Sequence, residues 1–268
     1  MTFDGTMAAD ALFQPAETGI RGRVILITGA AQGIGRELAL ECSQAGAIPV
    51  ITDLNGEGAR RVADEIATHG NDALALALDV SDELSAGETV AAVMAKYGRV
   101  DVLVNNAAVF SGLTMKPFHE IGVDEWENLM RVNVTGCFIM AKAVIGAMKT
   151  AGWGRVINMT SSAVQLGLPN YLHYVTSKAA LVGMTNAMAR EVGAYGITVN
   201  AVQPGAVATE VPRSTVTPQI MSKIVESQCI PRPQTPPDLV GLVQFLASPA
   251  ADFITGQTIA CNGGHTHR

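Results

Sequence analysis

Short apolar runs rich in Val, Ile and Leu recur along the chain at Val24–Thr28, Pro49–Thr52, Ala73–Leu78, Val102–Val104, Val156–Met159, Thr198–Val202 and Thr258–Ala260. Several lack any alternation with polar residues, the pattern of a strand buried on both faces. Between them lie stretches whose apolar positions repeat at helical spacing, among them Ile34–Ala45, Glu57–Thr68, Val123–Lys149 and Ser177–Ala194. Strand and helix alternating in this order predict an α/β fold of the Rossmann type. Its doubly wound parallel sheet of about seven strands carries helices on both faces, joined by right-handed crossovers. No linker divides the chain, so residues 21–268 read as one domain. Seven of the twelve prolines fall between Pro204 and Pro237, which predicts an irregular lid over about 205–235.

Composition narrows the class. Of 268 residues 48% are hydrophobic and 16% charged, enough to bury a core and too apolar for a disordered chain. Eighteen Lys and Arg stand against 24 Asp and Glu, for a formal net charge of −6. With no run of cations to release phosphate counterions, a nucleic-acid partner is not expected. Cys42, Cys137, Cys229 and Cys261 are widely separated, which reads as reduced thiols in a cytoplasmic protein. His265 and His267 are the only close histidine pair and lack acidic or thiolate co-ligands, so no metal is expected. No run reaches the ~18 uninterrupted apolar residues of a membrane helix, and no membrane association is expected. Residues 1–20 hold Asp4, Asp10 and Glu17 but no Lys or Arg, the wrong charge for a secretory or mitochondrial signal. They read as a loosely ordered extension.

Chemistry first appears where the first strand runs into Thr28-Gly29-Ala30-Ala31-Gln32-Gly33-Ile34-Gly35 and then a helix. Glycines there let backbone amides approach a pyrophosphate, and the helix N-terminus adds partial positive charge. The second strand ends at Asp53, 18 residues after Gly35. A carboxylate at that place accepts hydrogen bonds from both ribose hydroxyls of NAD. It would repel the 2′-phosphate of NADP by roughly 4 kcal/mol per close unit charge pair at an effective dielectric of ~20. Positions 30–32 hold no Lys or Arg to offset this, so NAD is the expected cofactor.

Further along, Tyr174 and Lys178 stand four residues apart on a predicted helix and share one face. A free phenol, with a pKa of ~10, is a poor base at neutral pH, and lowering it three units takes about 4 kcal/mol. One nearby ammonium at an effective dielectric of ~20 supplies a comparable amount. Such a pair suits removal of a proton from an alcohol or its donation to a ketone. The hydroxyl cluster Asn158-Met159-Thr160-Ser161-Ser162 closes the strand just upstream. No G-x-S-x-G elbow points to Ser-His-Asp chemistry instead.

Taken together, Thr28–Gly35, Asp53, Asp79-Val80, Asn105-Asn106-Ala107-Ala108, Asn133, Ser161, Tyr174/Lys178, Pro204-Gly205 and the ending Gly256 … Asn262-Gly263-Gly264 resemble the short-chain dehydrogenase/reductase family, single-domain type, from about Arg21 onward. The resemblance implies that Tyr174 is the general acid/base and that Lys178 binds the nicotinamide ribose and depresses the phenol pKa. Ser161, rather than Ser162, would hydrogen-bond the reacting oxygen, and Asn133 would hold a water linking Lys178 to solvent. Asp79 and Val80 would flank adenine, and Asn106 would support the adenosine side. Val207 and Thr209 would contact the carboxamide. Gly29, Gln32, Gly33, Ile34, Gly35, Leu54, Ala107, Pro204 and Gly205 complete the implied cofactor set. A homotetramer is also implied. Ala108 stands where the family most often has Gly, and Asn262 where Asp is frequent.

Val109, Phe110, Val164, Leu166, Leu168, Leu172, Val207 and Val211, with Gln165 and His173 as polar options, are the expected substrate wall. Such a wall favours a small apolar secondary alcohol or ketone. The stretch Gly152–Asn158 and the pattern at Tyr171–Lys178 are similar to NAD-dependent aryl-alkyl alcohol dehydrogenases of the family. They also resemble 3-oxoacyl-[acyl-carrier-protein] reductases, which stay open as an alternative, as does a dinucleotide sensor without turnover.

Overall fold

The computed structural model describes residues 19–212 and 215–267. Seven strands form one parallel sheet: β1 (Val24–Thr28), β2 (Ile48–Asp53), β3 (Leu74–Ala77), β4 (Val102–Asn105), β5 (Gly154–Met159), β6 (Ile197–Pro204) and β7 (Thr258–Cys261). Their order is β3-β2-β1-β4-β5-β6-β7. The helices are α1 (Gly33–Gln44), α2 (Gly56–Thr68), α3 (Glu83–Tyr97), α4 (Val123–Met130), α5 (Gly136–Ala151), α6 (Ala163–Leu166), α7 (Leu172–Val192), α8 (Pro218–Ser227) and α9 (Pro237–Ala247).

The unbroken apolar run of β1 follows from double coverage. Ile25 and Ile27 pack in one layer with Leu38 of α1, Val62 of α2 and Leu246 of α9. Val24 and Leu26 point the other way, toward Val93 of α3, Val144 of α5 and Val192 of α7. Each such side chain contributes about 1.5–3 kcal/mol by leaving water. From β1 the chain winds outward to β3 and then returns to β4 on the other side of β1. That reversal leaves a crevice beyond the carboxyl ends of β1 and β4, the usual ligand position in an open α/β sheet.

Helices α4 and α5 run on as one piece through a π-turn at Arg131–Thr135, where the Gly136 amide donates to the Arg131 carbonyl. The turn inserts one extra residue into the helix. By length and composition residues 123–151 could cross a membrane. In this fold their inner face, with Leu129, Met140, Val144 and Met148, is buried. Burial pushes the thiol of Cys42 on α1 up to about 12 and that of Cys137 on α5 to about 11, which keeps both protonated and unreactive.

Three expectations change. The proline-rich stretch is not irregular throughout, because it contains α8 and leads into α9. Pro218 and Pro237 open those helices, where the missing N–H has no intrahelical partner and the fixed φ is already helical. Helix α7 begins five residues before the apolar pattern suggested, after Asn170 at φ 61, a backbone region that asparagine tolerates. Gly19 and Ile20 belong to the fold, with Ile20 wholly buried against the α1 layer. Residues 1–18, the rest of the expected extension, lie outside the described residues.

Candidate active site

A cleft of about 360 Å³ opens at the strand-order reversal. Its first wall is the turn from β1 into α1. Gly29 and Gly33 hold φ values of +64° and +58°, which side chains rarely adopt. A Cβ on Gly29 would also stand 2.7 Å from Ala107 Cα, and one on Gly35 would collide with the Gly29 carbonyl and lie 2.6 Å from Asn106 Nδ2. Asn106 braces the turn: its Nδ2 donates to the carbonyls of Thr28 and Gly29, both at 2.9 Å, and its amide to Thr28 Oγ1 at 3.0 Å. Replacing Gly35 by Ala is therefore expected to cost about 1–3 kcal/mol through overpacking and to weaken dinucleotide binding. Thermal melting and a binding isotherm check this, and a variant matching the wild type in both would refute the packing argument.

Gly29, Gln32, Gly33 and Ile34 face the cleft from this turn, and Asp53 and Leu54 face it from the end of β2. Asp53 Oδ2 accepts from the Ala31 amide at 3.1 Å and Oδ1 from the Asn55 amide at 2.9 Å, which fixes the carboxylate beside the glycine turn. Asp79 and Val80 form the adjoining edge. The Ser81 hydroxyl and amide both donate to Asp79 Oδ1 and hold its carboxyl below the usual carboxylate range. Asn106, Ala107 and Ala108 lie along the floor, while Pro204, Gly205, Val207 and Thr209 close the far side. Gln234 clamps that side by accepting from the Gly205 amide at 2.9 Å and bridging to Val207.

The expected catalytic side chains Tyr174 and Lys178 sit where α7 crosses the end of β5. Asn105 Nδ2 donates to Asn158 Oδ1 and Asn158 Nδ2 to Thr185 Oγ1, both at 2.9 Å, a buried polar chain that ties the helix to two strands. Thr160 Oγ1 adds a bond to the Lys178 carbonyl at 3.0 Å. Tyr174 and Lys178 both line the cleft. Lys178 is otherwise buried, its Nζ donating to the Met159 carbonyl at 2.8 Å and lying 5.9 Å from the centre of the Tyr174 ring. Burial pushes the Lys178 pKa down.

Of the two serines, Ser161 faces the cleft, whereas Ser162 is buried and donates its amide to the Pro204 carbonyl. Of the expected catalytic and cofactor residues, only Asn133 and Gly35 are set back from the lining. Asn133 is fully buried in the π-turn. Its Oδ1 accepts from the Val109 amide at 2.7 Å, and its Nδ2 donates to Ser177 Oγ at 3.2 Å. Ser177 Oγ in turn donates to the Tyr174 carbonyl at 2.8 Å. Asn133 thus joins the loop after β4 to the turn of α7 that carries Tyr174 and Ser177.

The expected substrate wall divides. Val109, Phe110, Val207 and Val211 line the cleft, joined by Ser111, Val132 and Met159. Val164, Gln165, Leu166, Leu168, Leu172 and His173 do not. The one-turn helix α6 and the early start of α7 turn these residues elsewhere. Leu168 packs with Leu113 and Leu129. Leu166 and Leu172 are exposed, and His173 is buried with Nε2 3.3 Å from Glu125 Oε1. Two features carry no signal in the sequence. Tyr171 stacks on Tyr174 with ring centres 4.7 Å apart, and Glu210 Oε1 accepts from the Gly33 amide at 2.8 Å. Among the described residues no cluster of three or more His, Cys, Asp or Glu is placed to hold a metal.

Comparison with known proteins finds relatives in both sequence and fold. Residues 29–266 match a family model described as enoyl-(acyl carrier protein) reductase. The chain is 34% identical over 253 residues to the 7alpha-hydroxysteroid dehydrogenase of Escherichia coli, covering 94% of this chain and 98% of that enzyme. Among solved structures it is similar to a gluconate 5-dehydrogenase from Burkholderia cenocepacia in complex with NADP and tartrate. The identity there is 34%, the TM-score 0.87, and the coverage 93% of this chain and 97% of that one. It is similar also to a 3-ketoacyl-(acyl-carrier-protein) reductase from Brucella melitensis complexed with NADH, at 32% identity and TM-score 0.84, over 92% of this chain and all of the other. Matching along nearly its whole described length, in fold and in sequence, the chain belongs to the short-chain dehydrogenase/reductase family and is an oxidoreductase of that family.

Proposed function

We propose that the protein interconverts an apolar secondary alcohol and its ketone with NAD as cofactor. The observation that carries this reading is the buried Lys178 ammonium beside Tyr174 in the cleft that Asp53 closes at its other end. The glycine cradle, which no Cβ could enter, and the Asp53 carboxylate fit a dinucleotide. When bound, the nicotinamide supplies hydride acceptance or donation. The chain supplies the rest. Tyr174 takes the hydroxyl proton as phenolate, and Lys178 keeps that phenolate accessible near neutral pH. Ser161 donates to the reacting oxygen, while Val207 and Thr209 orient the carboxamide.

Asp53 supports NAD over NADP, because a 2′-phosphate beside it meets an uncompensated carboxylate. The expected kcat/KM ratio is at least about tenfold in favour of NADH over NADPH, which requires only ~1.4 kcal/mol. Equal efficiencies in steady-state assays would defeat the Asp53 argument. Val109, Phe110, Val211 and Met159 support an apolar substrate, as does the hydroxysteroid dehydrogenase relative. A panel of secondary alcohols assayed with NAD tests that class. A second reading, 3-oxoacyl thioester reduction, is favoured by the description of the matching family model and by the Brucella relative. Turnover of a 3-oxoacyl thioester without turnover of any simple ketone would select it. We also propose a homotetramer, for which the exposed Phe138 on α5 and Leu172 on α7 offer apolar surface.

A further inference from the structure

We infer that Glu210 competes with the cofactor's diphosphate for the amide at the start of α1, so that this side chain sets the affinity for phosphate-bearing ligands. The inference rests on the dinucleotide reading of the cleft. Gly33 is the first residue of α1, and its amide has no intrahelical acceptor. It donates instead to Glu210 Oε1 at 2.8 Å, a bond made across 177 residues of chain. That amide and the helix dipole behind it are the groups that draw a pyrophosphate to such a turn. Glu210 therefore presents a carboxylate where an anionic ligand would bind.

The neighbouring segment holds it there. Val211 Cγ2 stands 3.2 Å from the point where a Cβ on Gly33 would lie, and Thr209 Cγ2 stands 3.9 Å from it. The segment is anchored behind by the Ala208 amide donating to the Gln234 carbonyl at 2.7 Å. The Gly33 bond holds the Glu210 carboxyl below the usual carboxylate range, with Arg36 assisting, so it remains an anion at neutral pH. Carboxylate and diphosphate cannot share one N–H donor, and their like charges repel.

Binding of ADP-ribose, which carries the diphosphate, and of adenosine, which lacks it, tests the competition by calorimetry on the full chain. Glu210→Ala is expected to tighten ADP-ribose about tenfold, or ~1.4 kcal/mol, while adenosine affinity stays within about twofold. Glu210→Gln keeps an acceptor for the Gly33 amide but loses the charge, so a smaller gain is expected. Unchanged or weaker ADP-ribose binding in both variants, with unaltered melting, would overturn the competition. Equal tightening of adenosine would overturn it too, since general opening of the cleft would then explain the gain. If the wild-type protein bound neither ligand, the dinucleotide reading itself would fail and the inference with it.

Discussion

Replacing Tyr174 by phenylalanine is expected to lower kcat by about 10²- to 10⁴-fold, the span of a positioned general acid or base, while NADH affinity stays within about twofold. The variant loses one oxygen and keeps the ring that stacks on Tyr171, so the packing of α7 is retained. Only the hydroxyl is removed. Single-turnover hydride transfer and an NADH fluorescence titration separate the two effects. Unchanged kcat would remove Tyr174 from the chemistry, and loss of NADH binding in step with kcat would make it a structural residue instead.

Removal of the cation should act differently. Lys178→Met deletes the ammonium that stands 5.9 Å from the centre of the Tyr174 ring; a single cation near a phenolate at an effective dielectric of ~20 is worth about 3 kcal/mol, or about two units of phenol pKa. In the proposed mechanism alcohol oxidation requires the ionised phenol. Below the phenol pKa its rate rises with pH, and a raised pKa moves that rise to the alkaline side. The variant should therefore be about 100-fold slower near neutrality and recover as pH rises, in a pH–rate profile displaced by up to about two units. Melting should be little changed, because removing a buried cation relieves a desolvation cost that offsets its bond to the Met159 carbonyl. A uniform loss at every pH would deny Lys178 its electrostatic role.

What the sequence made legible follows how local each signal is. The βα alternation is readable because a strand covered on both faces must be apolar at every position, as Val24–Ile27 are. The Gly29–Gly35 turn is readable because Gly29 and Gly33 take positive φ, which side chains rarely adopt. Tyr174 and Lys178 share a helical face by spacing alone. The substrate wall was harder, since Leu166, Leu168 and Leu172 are apolar whether they line a cleft or pack elsewhere. The difference lies in the short helix α6. Glu210 and Tyr171 were invisible for a related reason. Their partners, Gly33 and Tyr174, are set by how segments meet in space, and no periodicity records that meeting.

The extra residue at Arg131–Thr135 has a consequence for how this scaffold can vary. An α-helix turns about 100° per residue, so the inserted position offsets the azimuth of α4 from that of α5 by about that angle. The downstream half is committed to the sheet through Met140, Val144 and Met148. The upstream half looks toward the cluster of Leu113, Leu129 and Tyr171, on which Tyr174 stacks. One continuous rod therefore serves two masters, and its upstream half, packed with Leu113 and Tyr171, can vary without rephasing the half that covers the sheet.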